Sequence, residues 1–537
     1  MNLILDPWVP IRDAAGTVRD ISPLELASTE PAALELAALR PDFNGALAQF
    51  LIGLWQLVAP ENAGEWQDVM HGDSPLPVEH LRQWAPHFEF DSGDRRFMQD
   101  MQLDAGEGND LDALLLESPG ANALRNNSDL FIKRCEPSCF GSAVAAQALI
   151  CLQMNAPAGG QGHRTSLRGG GPVSYLWWPQ QRRGEVVSLW QKLWANVQVL
   201  EGPCRPEVVL PWISSCLTSE DKKDALTQLV KKHGRLFDQE LAALCYFATP
   251  RRIQLTFVDD AQCSLSGRQG RAATGYVTRN FGADYRSGRF RHPLSPYYTH
   301  KEDCLPAHLS EVGFSYLDWL QAMRSGDGLN APTVLEGAQR SRVESWLSGP
   351  IDTAIWAFGY KMDNMKCEAW HEARYPVLTG LSAEAEREVF GQAKLLVAAT
   401  NACRLVLRKS LRRAWSDEGK KGDTSAAERQ LLSSTEFDFY AAVRAVAELP
   451  DATAEHGAAR QLLRLSWQQQ LRTAAFRVFD THAQSGDARN ESLKIMQRIA
   501  GAQKQLGIGL HIELPKALDI AIEAKAPKQK STRSKAA

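Results

Sequence analysis

Residues 157–172 combine the residue types that bind anions. This segment holds six glycines, two arginines and one histidine, and it holds no acidic residue. Residues without a Cβ let the backbone approach a partner closely, and they adopt the positive φ angles that point successive N–H groups outward. Arg164 and Arg168 add long-range attraction for negative charge. The segment therefore predicts an anion-binding loop, and the alternative is a flexible surface loop whose glycines only make turns.

The common nucleotide-binding motifs do not match this loop. A P-loop needs Gly-Lys-Ser/Thr, whereas Gly162 is followed by His163 and Arg164. A dinucleotide-binding loop needs a third glycine at the position that Thr165 occupies. A polyanion is therefore a better candidate partner than a nucleotide cofactor, and we expect no cofactor.

Residues with the spacing of a known catalytic site are missing from the sequence. It contains no G-x-S-x-G or H-E-x-x-H motif, and its 12 histidines are dispersed. The 10 cysteines are scattered without a C-x-x-C pair, so the sequence predicts no metal site. We expect a binding protein and not an enzyme.

A second basic element covers residues 268–292. It contains six arginines against the single acid Asp284. Arginines interleaved with aromatic rings are typical of surfaces that bind nucleic-acid backbones and stack on bases. The alternative is a solvated face on which salt bridges neutralise the arginines. The interleaved aromatic residues are Tyr276, Phe281, Tyr285 and Phe290.

A turn over residues 359–366 is the third candidate element. Asn364 and Met365 stand next to each other inside it, and lysines lie near both ends. A neutral amide beside a flexible apolar side chain could act as a wedge, because minor-groove proteins push apolar residues between base steps. A core methionine and a turn asparagine are the ordinary alternative.

Regular elements on both sides must position the first loop. The Ala- and Leu-rich residues 142–154 predict a helix that leads into it, and residues 173–178 predict a strand that leaves it. Residues 3–21 predict a hairpin, and residues 250–300 have β character. The N-terminal two thirds is therefore predicted to mix helices and strands.

Long helical patterns begin at about residue 380. Apolar residues advance by three or four positions, as they do from Val389 to Leu411. Ser425 and Glu428 form a capping box that opens a second helix. Four amphipathic helices with short connections predict a four-helix bundle.

The sequence thus predicts an α+β chain of three parts. A large mixed domain covers residues 1–379, the four-helix bundle covers 380–524, and a basic, disordered tail covers 525–537. The length of 537 residues is too great for a single core. The net charge of −3 means that nucleic-acid binding must come from local segregation of charge.

The sequence also predicts a compartment. Its start lacks the basic and apolar regions of a signal peptide, and no run approaches the roughly 18 apolar residues of a membrane span. Scattered thiols fit a reducing environment. We therefore expect a cytoplasmic protein without a membrane partner.

Four segments, in their order along the chain, resemble the large subunit of the type I-E CRISPR Cascade complex, the CasA family. They are residues 1–12, 119–122, 156–172 and 358–364. The glycine segment with the Leu-Arg-Gly-Gly that follows it is the most specific of them. The resemblance implies a mixed N-terminal domain, a C-terminal four-helix bundle and no cleavage activity.

The resemblance also implies a role in antiviral defence. Subunits of this family recognise the protospacer-adjacent motif of double-stranded DNA, help to open the duplex into an R-loop, and recruit a separate helicase-nuclease. The implied partners within the ribonucleoprotein complex are the guide RNA and the small, backbone and 5′-handle subunits.

Matching positions carry the family's contacts onto this chain. Gly159, Gly160, Gln161 and Gly162 would enter the minor groove, which is about 6 Å wide and gives largely degenerate readout. Such readout suits tolerance of several related motifs, and Arg164 would add a positive charge beside the DNA.

Two further matches depart from the family pattern. Asn364 and Met365 fall where the family has a strand-separating wedge, often a glutamine followed by a small residue. Arg279, followed by Asn280, stands near the position of the family's lysine finger.

Cys263 stands alone where some members have a cysteine cluster, so no zinc is expected. The residues that correspond to a loop near the 5′ end of the guide RNA are Phe131, Ile132 and Lys133.

Two hypotheses from other classes stay open. One is an enzyme that acts on a phosphorylated small molecule held by the glycine loop, although no catalytic cluster accompanies it. The other is a structural assembly subunit that binds RNA or neighbouring proteins without reading DNA.

Overall fold

The structure is a computed structural model in which the chain forms two compact units. The first unit contains Met1–Phe314 and Gln321–Gly380, and the second contains Ser315–Leu320 together with the chain from Leu381 onward. A mixed N-terminal domain followed by a helical C-terminal bundle confirms the predicted fold class. The residues that the structure describes are 1–103, 109–119, 125–127, 139–214, 216–286, 290–300, 303–326, 328–347, 351–363, 366–416, 422–449, 454–483 and 493–520.

Short helices and antiparallel strands alternate in the first unit. The helices in chain order are α1 (Pro41–Leu57), α2 (Ala63–His71), α3 (Val78–Arg82), α4 (Ser142–Asn155), α5 (Leu189–Trp194), α6 (Pro206–Val209), α7 (Ala225–His233) and α8 (Asp238–Phe247). Next come α9 (Trp319–Met323), which spans the point where the chain returns to this unit, and α10 (Gly337–Leu347).

The strands of the first unit form small antiparallel sheets. They are β1 (Val9–Asp13), β2 (Val18–Ile21), β3 (Ala33–Leu36), β4 (Phe140–Gly141), β5 (Val173–Trp177), β6 (Gln181–Arg182), β7 (Glu185–Val186), β8 (Arg252–Gln262), β9 (Gln269–Arg279), β10 (Tyr297–His300), β11 (Asp303–Pro306), β12 (Leu329–Asn330), β13 (Ile351–Asp363) and β14 (Lys366–Val377). The sheet orders are β2-β1-β3, β4-β9-β8, β14-β13-β5, β11-β10-β12 and β6-β7.

Two helices that are apolar on almost every side form the centre of this unit. Helix α1 starts with Pro41, whose fixed φ suits a first helical position, and most of its residues are buried. It packs against α4 and α8. Gly53 permits the close approach to α8, because a Cβ there would lie 2.6 Å from that of Tyr246. Helix α4 is equally buried, so the glycine loop leaves a rigid support.

The second unit is built from four long helices. They are α11 (Ala383–Trp415), α12 (Ser425–Ala447), α13 (Ala454–Ala483) and α14 (Leu493–Ala517). The predicted apolar positions of α11 are buried from Val389 through Leu396 and Leu407 to Leu411. Among the described residues, none of the helices of either unit is both long and apolar enough to cross a bilayer.

The capping box predicted at Ser425 is wrong. Thr424 is the N-cap of α12, and the Ser425 hydroxyl instead donates to Asp423 at 3.0 Å. Glu428 is buried, and it accepts hydrogen bonds from Arg404 at 3.0 Å and from Arg408 at 2.7 Å. The hydroxyl of the N-cap residue Thr424 also donates to this carboxylate at 2.7 Å, so Glu428 bonds Thr424 and two guanidinium groups of α11 and forms no capping box with Ser425.

The segment Ser315–Leu320 completes the core of the second unit. The ring of Tyr316 stacks on Phe439 with centroids 4.5 Å apart, and its hydroxyl lies 2.8 Å from that of Thr435. Trp319 stacks on Phe390 at 5.8 Å. A short piece of chain from outside the four helices is therefore packed among them.

Candidate nucleic-acid interface

The glycine loop connects α4 to β5 and exposes its tip. Ala158, Gly159, Gly160 and Gln161 are exposed, whereas the rest of the loop is at least half-buried. Gly160 has φ +93° and Gly162 has φ +80°, values that L side chains rarely adopt. A Cβ on Gly160 would meet no atom within 4 Å. The tip is therefore a glycine-rich stretch of backbone that faces solvent.

Arg251 supports the tip from below. Its guanidinium group contacts the Nδ1 atom of His163 and donates to the carbonyl oxygen of Pro157. Its backbone exchanges two hydrogen bonds of 3.0 Å with the side chain of Gln153 on α4. Burial lowers the pKa of Arg251 to about 10, and burial followed by the charge of Arg251 lowers the pKa of His163. A neutral His163 can accept a hydrogen bond from the guanidinium, which remains charged at pH 7.

Arg168 anchors the other end of the loop in the core. It is 2% exposed, and it donates to Ser174 Oγ at 2.7 Å, Ser295 Oγ at 2.9 Å and Gln49 Oε1 at 2.7 Å. These acceptors lie on β5, on the chain before β10 and on α1. Burial lowers the pKa of Arg168 to about 10. Its charge therefore serves the folded loop and cannot contact a DNA phosphate.

The loop contacts the end of β9. The amide N–H of Phe281 donates to the carbonyl oxygen of Gly162 at 2.7 Å, and a Cβ on Gly162 would lie 2.9 Å from that of Asn280. Arg279 and Asn280 are exposed. Both line a polar cavity of about 600 Å³, which Arg252 also lines. The predicted finger residues and the predicted groove loop therefore lie side by side.

The loop also contacts the long β13–β14 hairpin. Gly359 pairs with Val173, and a Cβ on Gly359 would lie 2.6 Å from the carbonyl oxygen of Pro172. Gly171 has φ +69°, and a Cβ there would lie 2.8 Å from the carbonyl oxygen of Tyr360. The β13–β14 hairpin therefore contacts the glycine loop through Gly359 and Tyr360, a few residues before β13 ends at Asp363.

Several predicted residues lie outside the described residues. Asn364 and Met365 occupy the connection between β13 and β14, whose flanking residues Asp363 and Lys366 are paired. The proposed RNA-side residues Phe131, Ile132 and Lys133 also lie outside them. Their roles stay predictions.

Carboxylates pair with at least three of the five arginines that the structure describes in the second basic element. Arg164 of the glycine loop donates to Ser219 Oγ at 2.8 Å and pairs with Asp284 at 3.2 Å. The hydrogen bond from Arg286 is the main reason that the pKa of Asp284 is lowered. The described arginines in residues 268–292 that pair with carboxylates are Arg268 with Asp20, Arg271 with Asp259 and Asp91, and Arg286 with Asp284. The salt-bridged alternative thus describes these residues better than a free basic surface.

The sequence analysis did not identify Arg251 as a support of the loop, and its assignment of Arg168 as a charge for an anion is wrong. Arg251 lies 88 residues from His163 in sequence, so no local pattern links them. Arg168 looked like a charge for an anion, but it lies beneath the loop. Within the described parts of the chain, no three or more His, Cys, Asp or Glu side chains come together as metal ligands would.

Known proteins of one family share this fold and sequence pattern. The sequence profile of the family described as CRISPR-associated protein Cse1 matches residues 2–478. The chain belongs to that family. This confirms the resemblance to the CasA family, the large subunit of type I-E Cascade.

Solved structures of the family agree along nearly the whole chain. CasA of Thermus thermophilus has a TM-score of 0.64 and 17% identity, and the match covers 95% of this chain and 99% of that one. Cse1 of Thermobifida fusca has a TM-score of 0.67 and 16% identity, covering 96% and 98%. A chain of a CRISPR RNA-guided surveillance complex has a TM-score of 0.61 and 15% identity, covering 94% and 99%. At these identities the matches establish the shared fold.

Proposed function

We propose that this chain recognises the protospacer-adjacent motif of double-stranded DNA as the large subunit of an RNA-guided Cascade complex. The observation that carries the proposal is the glycine loop, which exposes its tip and contacts two other predicted DNA elements. Those elements are the end of β9, through Gly162, and the β13–β14 hairpin, through Gly171. Membership of the Cse1 family supports a role within such a complex.

The exposed tip suits the minor groove for a physical reason. Such a groove is about 6 Å wide, so backbone without side chains can enter where an ordinary loop cannot. Gly159, Gly160 and Gly162 provide that backbone, and Arg251 and Arg168 hold it in place from inside the protein. Since loop and support are both pre-formed, little ordering is needed when DNA binds.

Charge and strand opening would come from the neighbouring elements. Arg279 and Asn280 would contact phosphate or sugar beside the motif, and Asn364 with Met365 would separate the strands. Opening the duplex is a near-balanced exchange of DNA pairing for guide pairing, so modest protein contacts can tip it.

The remaining proposed partners follow from the family. The chain would assemble with the guide RNA and with the small, backbone and 5′-handle subunits, with Phe131, Ile132 and Lys133 near the guide. It would recruit a separate helicase-nuclease and would cleave nothing itself. The rival assembly-only role predicts binding that is indifferent to DNA sequence.

Electrophoretic shifts with the assembled complex test the proposal. Duplexes that carry the motif should bind more tightly than duplexes in which only the motif is scrambled. Equal affinities would reject motif recognition, and the assembly-only role would then be the better account. Phosphate release or turnover of a small phosphorylated compound by the isolated chain would instead favour an enzyme.

A further inference from the structure

Tyr360 is the last buried residue of β13 before the β13–β14 hairpin leaves the core. It is 2% exposed, whereas Lys361 and Met362 are half-buried and Asp363 is exposed. The three residues after Tyr360 form an arm of about 10 Å, because a strand rises about 3.3 Å per residue. A small rotation at Tyr360 would therefore displace the end of the hairpin by a larger distance.

A buried carboxylate on α1 holds the hydroxyl of Tyr360. This hydroxyl donates a hydrogen bond to Asp42, in the first turn of the helix. Asp42 is 3% exposed, so the bond lies inside the protein. Burial raises the pKa of Tyr360, and the hydroxyl therefore keeps its proton and remains the donor. A hydrogen bond to a charged acceptor is stronger than one between neutral groups, so this bond holds the base of the hairpin against α1.

Asp42 is itself fixed by groups from two other parts of the chain. Arg40, just before α1, donates to each of the two carboxylate oxygens at 3.0 Å. The thiol of Cys151, on α4, donates to Asp42 Oδ2 at 3.7 Å. Helix α4 leads into the glycine loop. The helix that supports the loop and the hairpin that contacts the loop therefore share one carboxylate.

Aromatic packing around Tyr360 brings the hairpin close to α1. Trp370, its partner on β14, has its ring centroid 4.8 Å from that of Tyr360. A Cβ on Gly45 of α1 would lie 2.8 Å from the Trp370 ring and 3.0 Å from the ring of Phe358. Apolar contacts of this kind have no preferred direction, whereas a hydrogen bond does. The rings therefore set the distance between hairpin and helix, and the hydroxyl of Tyr360 sets the angle.

We propose that Tyr360 is a positioning residue for strand opening. Its bond to Asp42 fixes the angle at which the hairpin leaves the core, and hence the place of the β13–β14 connection relative to the glycine loop. The inference rests on the proposed DNA function, in which Asn364 and Met365 of that connection separate the strands. It adds to that function a buried residue that sets the rate of opening without contacting DNA.

The rate of duplex opening tests this role. Tyr360→Phe removes the hydroxyl and keeps the ring that packs on Trp370. The assembled complex is mixed with motif-bearing duplex that carries 2-aminopurine in the base pairs beside the motif, and opening is followed as a rise in fluorescence. Tyr360→Phe should open this duplex about tenfold more slowly than the unaltered complex, the loss expected for one hydrogen bond to a charged group.

Tyr316→Phe, in the second unit, is the matched control. It also removes a buried hydroxyl with a hydrogen-bond partner, since that of Tyr316 lies 2.8 Å from the hydroxyl of Thr435. Tyr316 contacts neither Asp42 nor the hairpin, so this variant should open the duplex at the unaltered rate.

Two further readouts separate positioning from a general loss of structure. A motif-bearing duplex with mismatches in the base pairs beside the motif needs no opening, so Tyr360→Phe should bind it with unaltered affinity. Hydrogen exchange on the free full-length chain needs no DNA. The amides of residues 361–363 and 366–369 should exchange faster in Tyr360→Phe than in the unaltered chain, because the hairpin then lacks its bond to α1.

The possible failures have different meanings. Equal opening rates for Tyr360→Phe and the unaltered complex, or equal exchange in the hairpin, would overturn the positioning role alone. Equal losses of affinity on the paired and the mismatched duplex would also overturn it, because the defect would then lie in DNA binding. Absence of opening by the unaltered complex would reject the proposed DNA function and the positioning role with it.

Discussion

Placing a large side chain on the tip of the glycine loop should abolish motif recognition while barely disturbing the fold. Gly160 is the position of choice, because a Cβ there would meet nothing within 4 Å. The φ of +93° still makes any L residue strained, at a cost of about 1 kcal/mol. Gly160→Trp should therefore lower the free energy of unfolding slightly and leave the rest of the unit intact.

Gly72 provides a matched control for that substitution. It ends α2 with φ +85°, and a Cβ there would also meet nothing within 4 Å. Gly72→Trp thus imposes the same kind of backbone strain and adds the same exposed ring. The two variants should have similar melting temperatures and circular dichroism spectra. A loss of DNA binding in Gly160→Trp alone would therefore come from the position of the ring at the loop tip and not from a loss of stability.

The expected loss of DNA affinity is large. An indole ring cannot enter a groove about 6 Å wide together with the backbone that carries it. Losing the contacts equivalent to about two base pairs would weaken binding on the order of 100-fold, or about 2.7 kcal/mol. The assay is an electrophoretic shift of motif-bearing duplex with the assembled complex. If Gly160→Trp bound with unaltered affinity and motif ranking, insertion of the loop into the groove would be refuted.

Three further predictions concern named side chains. Arg279→Ala should reduce the slope of log affinity against log salt by about 1 and keep the motif ranking, as expected for one phosphate contact; a changed ranking with an unchanged slope would contradict that role. Arg168→Met would leave the acceptor atoms of Ser174, Ser295 and Gln49 without their donor. It should lower the free energy of unfolding by about 2–4 kcal/mol and speed hydrogen exchange over residues 157–172. Unchanged exchange in that loop would show that Arg168 does not hold it in place. Burial raises the pKa of Asp318 to about 6. The folded chain therefore keeps this proton up to about pH 6, whereas the unfolded chain releases it near pH 4. The second unit consequently loses stability as the pH rises from about 4 to about 6. Asp318→Asn should therefore slow hydrogen exchange in α11 and α12 at pH 7, with a gain of about 2 kcal/mol, and have no effect at pH 4; equal effects at both pH values would refute the shift.

Local sequence patterns were enough to predict the elements around the loop. The Ala- and Leu-rich run became α4, the following strand became β5, and the apolar spacing from Val389 to Leu411 became the buried face of α11. Each of these depends on side chains a few residues apart, which the sequence displays directly.

Contacts between distant residues left no comparable signal. Arg268 pairs with Asp20 across 248 positions, so its charge looked available until the fold brought the carboxylate to it. Ser315–Leu320 joined the second unit because Tyr316 and Trp319 stack on its aromatic rings, although no change of composition marks the segment. The exposed tip was predicted as a loop, but its support by Arg251 required the three-dimensional structure.

Photocrosslinking from the loop tip tests the central claim most directly. Gln161 is exposed beside Gly160 and Gly162, so photo-methionine, whose aliphatic diazirine side chain is close to glutamine in size, should disturb neither the core nor entry of the tip into the groove. In the assembled complex we predict crosslinks to the motif base pairs of the target duplex, and none from the same group at the exposed Gln67. A residue-161 probe that crosslinks only to protein, while the complex still binds motif-bearing DNA, would contradict the account.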